Sequence, residues 1–150
     1  MRLTEEQLVG WGERIGREVG APLFLALRGD LGAGKSVLAR AVARGAGVRQ
    51  AMPSPTFNLL FRYEVGRSSV VHIDLYRLER PGDVMALGWR ELGAGDEIVL
   101  VEWPDRAGDL LPPDRWDITL TEAGPRLREV RMVPRGAPRQ IPLPVPERET

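Results

Sequence analysis

The chain has 150 residues and a formal net charge of zero. Its length predicts one domain with a buried core, and its charge gives no sign of DNA, RNA or an anionic membrane as a direct partner. It contains no cysteine, which excludes disulfide bonds, thiol catalysis and cysteine metal sites. The polar, acidic N-terminus is unlike a signal peptide, and no apolar run reaches the roughly eighteen residues that a membrane span requires. We therefore expect a cytoplasmic protein.

An amphipathic helix is predicted close to the N-terminus. Thr4 and Gln7 have the spacing of a capping box, and Leu8, Trp11 and Ile15 follow at helical intervals. Three glycines within this segment weaken the prediction, because glycine lowers helix propensity. A structural role is expected for this helix.

A phosphate-binding loop is the most informative motif in the chain. Residues 29–36, Gly-Asp-Leu-Gly-Ala-Gly-Lys-Ser, match G-x-x-x-x-G-K-[ST] between an apolar strand predicted at 23–28 and a helical pattern that follows. The glycines let backbone N–H groups close round phosphate oxygens, and the helix N-terminus adds the positive end of its dipole. Lys35 is predicted to reach the β- and γ-phosphates, and Ser36 to bind Mg²⁺. The predicted nucleotide-binding residues here are Asp30, Leu31, Gly32, Ala33, Gly34, Lys35, Ser36 and Val37. The alternative role of the N-terminal helix is to cover the base of this nucleotide.

The lysine content narrows the choice of nucleotide. Lys35 is the only lysine among 21 basic residues, so the N-K-x-D motif with which GTPases read guanine is absent. ATP is therefore the predicted nucleotide. A small-molecule kinase stays an alternative to an ATPase, with Arg62, Arg77 and Arg80 available to close over the phosphates.

A stiff segment that carries hydroxyl groups follows the P-loop helix. Pro53 and Pro55 fix an extended path, because each proline disfavours helix at the residue before it. Thr56 lies where P-loop switches place a sensor of the γ-phosphate, and we take it as the candidate. The alternative is a simple extended linker. A strand is predicted after it, over residues 57–65.

Two later apolar strands end in carboxylates. Residues 69–75 carry Asp74 near their end, and residues 97–103 carry Glu102. Parallel sheets bind ligands at the carboxyl ends of their strands, and a carboxylate beside a P-loop holds Mg²⁺ directly or through water. Both residues are candidates, and the sequence does not rank them. His72, the only histidine, is expected to pack or to support these carboxylates and not to bind a metal.

The C-terminal third predicts a hairpin and a tail. Strands at 116–121 and 127–133 are joined by a turn and form an antiparallel hairpin at the sheet edge. Residues 134–150 hold five of the thirteen prolines, which predicts an extended or disordered tail. The resulting domain organisation is a P-loop ATPase domain at 1–133 followed by that tail. The fold class is α/β, a P-loop NTPase-like three-layer sandwich with a mostly parallel central sheet and the C-terminal hairpin.

Taken in order, the motifs closely resemble the bacterial TsaE family over about residues 4–133. The matching segments are Gly-Asp-Leu-Gly-Ala-Gly-Lys-Ser (29–36), Ser-Pro-Thr-Phe (54–57), His-Ile-Asp-Leu-Tyr-Arg-Leu (72–78), Leu-Gly (87–88) and Val-Glu-Trp-Pro (101–104). The resemblance implies a protein that binds ATP with Mg²⁺ and hydrolyses it slowly. It also implies action with the TsaD and TsaB proteins, which form threonylcarbamoyladenosine at position 37 of tRNA, so contact with tRNA is expected to be indirect.

The resemblance further implies individual roles. Glu102 matches the metal-associated carboxylate, Asp74 lies in a switch-II-like motif that positions the attacking water, and Thr56 lies in a switch-I-like motif. Trp103 is placed near the nucleotide, with a packing role as the alternative. The expected catalytic residues are Lys35, Thr56, Asp74 and Glu102, and the expected metal ligands are Ser36, Asp74 and Glu102. A nucleotide-dependent binding switch with incidental hydrolysis is a second rival to the ATPase.

Overall fold

A seven-stranded sheet forms the centre of the described part of the molecule. The computed structural model describes residues 1–52, 60–92 and 95–144. Its strands and α-helices are β1 (Arg2–Thr4), α1 (Glu5–Glu18), β2 (Leu23–Arg28), α2 (Lys35–Ala46), β3 (Leu60–Val65), β4 (Ser68–Asp74), β5 (Glu97–Glu102), β6 (Arg115–Glu122) and β7 (Leu127–Arg135). Three 3₁₀ helices lie at Pro81–Leu87, Trp89–Glu91 and Pro104–Leu110. Within the described ranges, no helix is both long enough and apolar enough to span a membrane.

The sheet is mixed, with a parallel centre and antiparallel margins. Its strand order is β1-β7-β6-β2-β5-β4-β3. The neighbours β6, β2, β5 and β4 run parallel, whereas β1–β7, β7–β6 and β3–β4 are antiparallel. The α/β class and the β6–β7 hairpin are confirmed, but only half of the pairings are parallel. The hairpin does not lie at the edge, because β1, a strand too short to show a period in the sequence, pairs with β7.

Two apolar cores lie on opposite faces of the sheet. Side chains of a strand alternate between faces, so Leu25 of β2 enters one core and Phe24 the other. The first core contains α1 and α2, represented by Trp11 and Leu38. The second is covered by the 3₁₀ segments, represented by Trp89. The parallel centre is thus enclosed on both sides, as parallel strands require.

Two of the glycines in α1 are explained by its close approach to α2. The capping box predicted for Thr4 and Gln7 is present, and both hydrogen bonds form, at 2.8 and 3.1 Å. Gly12 and Gly16 are buried against α2. A Cβ on Gly16 would lie 2.0 Å from the carbonyl oxygen of Val42. These glycines lower helix propensity but permit the helix contact.

Replacing Gly16 by alanine is expected to destabilise the fold, whereas Gly10→Ala is expected to stabilise it. The first change places a methyl group against backbone that cannot move aside, at a cost of about 1–3 kcal/mol. Gly10 is exposed and a Cβ there meets nothing within 4 Å, so alanine should add about 0.5–1 kcal/mol through helix propensity. Urea denaturation of both variants measures the difference. Equal stabilities would contradict this account of the helix contact.

The proline-rich segment begins inside the sheet. The sequence places the domain boundary after residue 133, yet β7 runs on to Arg135, since Pro134 and Arg135 continue its pairing with β6. Residues 136–144 contain no helix or strand. The indole N–H groups of Trp116 and Trp11 each donate a hydrogen bond of 2.7 Å to a carbonyl of this segment, those of Arg139 and Pro142. The described part of the segment therefore contacts the domain.

A buried carboxylate, Asp117, joins β6, β7 and the end of β2. It accepts hydrogen bonds of 3.0 Å from Arg115 and Arg135, and Arg28 lies 3.7 Å away. Burial acts to raise the pKa of Asp117, but the two guanidinium hydrogen bonds together with the charges of Arg115 and Arg28 outweigh it, so the pKa lies below its ordinary value. Arg28 also pairs with Asp105, which ties the segment after β5 to this cluster.

Replacing Asp117 by asparagine is expected to lower the free energy of unfolding by about 2 kcal/mol at neutral pH, the range for hydrogen bonds to a charged group. A lowered pKa means that ionised Asp117 stabilises the fold above the unfolded-state pKa of about 4. That contribution is lost as the pH falls through the lower pKa of the folded state. The unfolding free energies of wild type and variant should therefore converge in acid. Asp109→Asn, at an exposed residue, is the control, and a pH-independent gap would contradict the prediction.

Candidate nucleotide-binding site

A cavity of about 410 Å³ lies where β2, β4 and β5 end. Of the residues predicted to bind nucleotide or metal, those lining it are Leu31, Gly32, Gly34, Lys35, Ser36, Val37, Asp74, Glu102 and Trp103. Asp30 and Ala33 belong to the same loop but line a second cavity on its other side. Thr56 lies outside the described residues. The structure thus brings nine of the predicted residues together around one space.

The loop before α2 has the geometry that its glycines allow. Gly32 and Gly34 have φ values of 81° and 107°, in the region that other residues rarely adopt. Gly34 is the N-cap of α2, and its carbonyl accepts from the N–H of Leu38 at 2.9 Å. The N–H of Ala33 donates to the carbonyl of Asp30 at 3.0 Å. This arrangement places the first turn of α2, with its partial positive charge, at the cavity.

Lys35 is buried at the floor of the cavity. Its ammonium group donates to the carbonyl oxygens of Gly29 and of Asp30, the latter at 3.0 Å. The ring of Trp103 lies 4.2 Å from the same nitrogen. Burial lowers the pKa of Lys35, partly opposed by the negative charges of Glu102 and Asp74. The side chain is held by its own loop and offers its positive charge beside the carboxylates.

Glu102 is the centre of a buried polar chain. The Ser36 hydroxyl lies 2.8 and 2.9 Å from the two carboxylate oxygens. His72 approaches the carboxylate from the other side, with its Nε2 atom 2.6 Å from one oxygen. Glu102 and His72 are both buried. His72, which the sequence predicts to pack or to support a carboxylate, thus contacts Glu102, and Glu102 is also the carboxylate that contacts the Ser36 hydroxyl.

Asp74 lies beside Glu102 in the parallel register of β4 and β5. One of its oxygens accepts from the backbone N–H of Tyr76 at 2.9 Å. Burial raises the pKa of Asp74, with a further rise from the charge of Glu102, and the Tyr76 hydrogen bond opposes part of it. The two carboxylates therefore differ in environment, since Glu102 contacts the Ser36 hydroxyl whereas Asp74 contacts the backbone of Tyr76.

Trp103 forms one wall of the cavity. Its backbone is in the left-handed region, at φ 57°, directly after β5. Its ring contacts both the ammonium group of Lys35 and the ring of Tyr76, whose centroid is 4.9 Å away. The placement of Trp103 at the cavity accords with the expectation from the sequence, and its contact with Tyr76 also gives it a packing role.

Five further residues of the described ranges line the cavity, and of these Arg77 was named from the sequence only for the kinase alternative. These five are Glu5, Leu8, Tyr76, Arg77 and Arg128. Tyr76 and Arg77 belong to the segment at 72–78, so their closeness in sequence to Asp74 indicates that they could lie at the same cavity. Glu5 and Leu8 bring the start of α1 to the cavity. Helix α1 would have to lie there if it covered the base of a bound nucleotide. Arg128 belongs to no motif and carries no signal in the sequence.

Comparison with known proteins places the chain in a family. A family model described as threonylcarbamoyl adenosine biosynthesis protein TsaE matches residues 3–130. The chain belongs to the TsaE family. This member is similar to a crystal structure of Bacillus subtilis YdiB, with a TM-score of 0.75 and 27% identity over 91% of this chain and 84% of that one.

Three relatives carry the name tRNA threonylcarbamoyladenosine biosynthesis protein TsaE. The Bacillus subtilis protein is 37% identical over 71% of this family member and 66% of its own length. The Haemophilus influenzae protein is 37% identical over 60% and 57% of the two chains. The Treponema pallidum protein is 33% identical over 80% and 88%. The match spans less than two thirds of the first two relatives.

Proposed function

We propose that this TsaE family member is a magnesium-dependent ATPase that supports threonylcarbamoyladenosine formation on tRNA. The observation that carries the proposal is the contact of Ser36 with both oxygens of Glu102 in a cavity that also holds Lys35. A P-loop hydroxyl beside a carboxylate at a strand end is the arrangement used to bind the metal of a nucleoside triphosphate. Because Lys35 is the only lysine, the chain lacks the N-K-x-D motif with which GTPases read guanine. This absence favours ATP over GTP as the nucleotide.

The residues present fit magnesium bound together with phosphate. Mg²⁺ takes oxygen ligands, keeps several waters and is usually held by one or two carboxylates plus substrate phosphates. Within the described ranges, no group of three or more His, Asp or Glu side chains could hold a metal alone. Ser36 and Glu102 supply one hydroxyl and one carboxylate, which suits a metal that a phosphate completes. Bound there, the ion would neutralise charge on the phosphates.

The proposed reaction is attack of water on the γ-phosphate: a bond forms between the water oxygen and the γ-phosphorus, the bond from that phosphorus to the bridging oxygen breaks, and ADP and inorganic phosphate are released. Lys35 and the backbone N–H groups of the loop stabilise the charge that develops on the phosphoryl oxygens. Asp74, on the neighbouring strand, orients the water and accepts its proton. Because the pKa of Asp74 is raised, its carboxylate becomes protonated at a higher pH than that of an ordinary aspartate as the pH falls. Hydrolysis by the chain alone is slow, and a partner accelerates it by positioning Thr56 and Asp74 or by supplying a cation.

The biological role follows from the relatives' names, which specify tRNA threonylcarbamoyladenosine biosynthesis. We propose that the TsaD and TsaB proteins perform the transfer and that this chain uses its ATP cycle to support their turnover. The neutral net charge provides no overall basic field to attract RNA, so we take contact with tRNA to be indirect.

The test is to incubate the chain with Mg²⁺ and ATP labelled on the γ-phosphate, alone and with TsaD–TsaB. Release of labelled inorganic phosphate, accelerated by the partners, is the expected result. Transfer of the label to a small molecule would favour a kinase. Repeated rounds of tRNA modification with a non-hydrolysable ATP analogue would favour a binding switch. Absence of nucleotide binding would refute all three functions.

A further inference from the structure

Arg128 links the far margin of the sheet to the P-loop. It lies on β7, opposite Leu3 of β1 and Glu122 of β6. Its Nε atom donates to the carbonyl of Ala33 at 2.9 Å, and its Nη2 atom lies 3.3 Å from the carbonyl of Gly32. One side chain thus contacts two consecutive carbonyls at the tip of the loop.

These contacts determine which way one peptide of the loop faces. The peptide bond is planar and trans, so the carbonyl of one residue and the N–H of the next point in opposite directions. Because Arg128 holds the Ala33 carbonyl, the N–H of Gly34 points away from the guanidinium group. Gly34 lines the cavity together with Lys35 and Ser36. Fixing the carbonyl of this peptide also fixes its N–H group, which belongs to a residue that lines the cavity.

The guanidinium group is itself fixed. Its Nη1 atom donates to the carbonyl of Leu127 at 3.1 Å, so all three nitrogens have backbone acceptors. Arginine presents these donors in a rigid planar fork, whereas lysine would offer a single flexible ammonium group. Arg128 also lines the cavity and places a permanent positive charge beside a site suited to phosphate.

We propose that Arg128 is a positioning residue for the phosphate site, holding the peptide between Ala33 and Gly34 in its anion-binding orientation. The inference rests on the proposed nucleotide-binding function and extends it to a residue of β7. A donor that contacts phosphate equally in the bound substrate and in the transition state affects KM and not kcat. Loss of Arg128 should therefore weaken nucleotide binding more than it slows the chemical step.

The experiment compares Arg128→Ala, Arg128→Lys and the control Arg131→Ala. Arg131 is an exposed residue of the same strand, and its odd spacing from Arg128 places it on the opposite face. Affinity for MgADP is measured by calorimetry, and KM and kcat for MgATP are measured by phosphate release. We expect Arg128→Ala to raise Kd and KM about tenfold, with kcat within about twofold of wild type. Arg128→Lys should fall between, and Arg131→Ala should match wild type.

A second readout does not depend on nucleotide. The ¹⁵N–¹H resonance of Gly34 in the ligand-free protein should shift in Arg128→Lys but not in Arg131→Ala. Unchanged affinity and an unchanged Gly34 resonance in the Arg128 variants would overturn the inference while leaving the proposed function intact. Failure of the wild-type chain to bind MgADP or MgATP would instead overturn the proposed function and, with it, the role of Arg128. If Arg128→Ala does not fold, the lysine variant decides.

Discussion

Replacing Glu102 by glutamine is expected to lower kcat for ATP hydrolysis about 10²–10³-fold, the loss typical when one electrostatic element of such a site is removed. The substitution retains the size of the side chain but removes the charge that lies against Ser36 and His72. A neutral amide is a poorer partner for a divalent cation than a carboxylate. The Mg²⁺ concentration for half-maximal activity should therefore rise together with the fall in kcat.

The substitution Asp74→Asn distinguishes the proposed role of Asp74 from that of Glu102. Asp74 is adjacent to Glu102 across β4 and β5 but contacts the N–H of Tyr76. If it orients water, its loss should lower kcat while leaving the Mg²⁺ requirement unchanged. Glu97→Gln, at the other end of β5 beside Arg62, controls for removal of a glutamate from the same strand. A Mg²⁺ shift in Asp74→Asn and none in Glu102→Gln would reverse the proposed roles.

The parts of the site that the sequence predicts are those held by short-range patterns. The loop at 29–36 is contiguous, and its flanking strand and helix are recognisable from apolar periodicity. The carboxylates Asp74 and Glu102 were predicted because each follows an apolar run, and their meeting is confirmed by the β4–β5 register. The residues alone do not show which of the two contacts Ser36, because that contact joins positions 66 residues apart in the chain.

The parts that the sequence does not predict depend on contacts between distant elements. Arg128 contacts Ala33 across 95 positions, and neither residue type nor local pattern indicates it. The edge strand β1 has three residues, too few for an alternation to be visible. In the sequence Gly16 only lowers helix propensity. The structure shows why glycine is needed there, because α2 packs directly against it. In each case tertiary packing outweighs the local signal.

Lys35→Ala is expected to lower kcat/KM for MgATP by at least about 10²–10³-fold, since it removes a cation placed for the β- and γ-phosphates. The fold should tolerate the change, because the cost of burying the ammonium group, which lowers its pKa, offsets the hydrogen bonds to the loop carbonyls that are lost. We expect the free energy of unfolding to stay within about 1 kcal/mol of wild type. Arg44→Ala, in the last turn of the same helix, removes a cation far from the loop and should leave hydrolysis unchanged.

The single lysine also permits a direct chemical test on the unmodified chain. Lys35 and the N-terminal amine are the only amines present, so an acylating reagent modifies at most two amines, and mass spectrometry of peptides distinguishes them. Burial lowers the pKa of Lys35, which increases its unprotonated, reactive fraction at a given pH. MgATP should slow acylation of Lys35 strongly while the N-terminal amine, paired with Glu129 outside the cavity, reacts at the same rate. Equal protection of both amines, or of neither, would contradict contact between Lys35 and the bound phosphates.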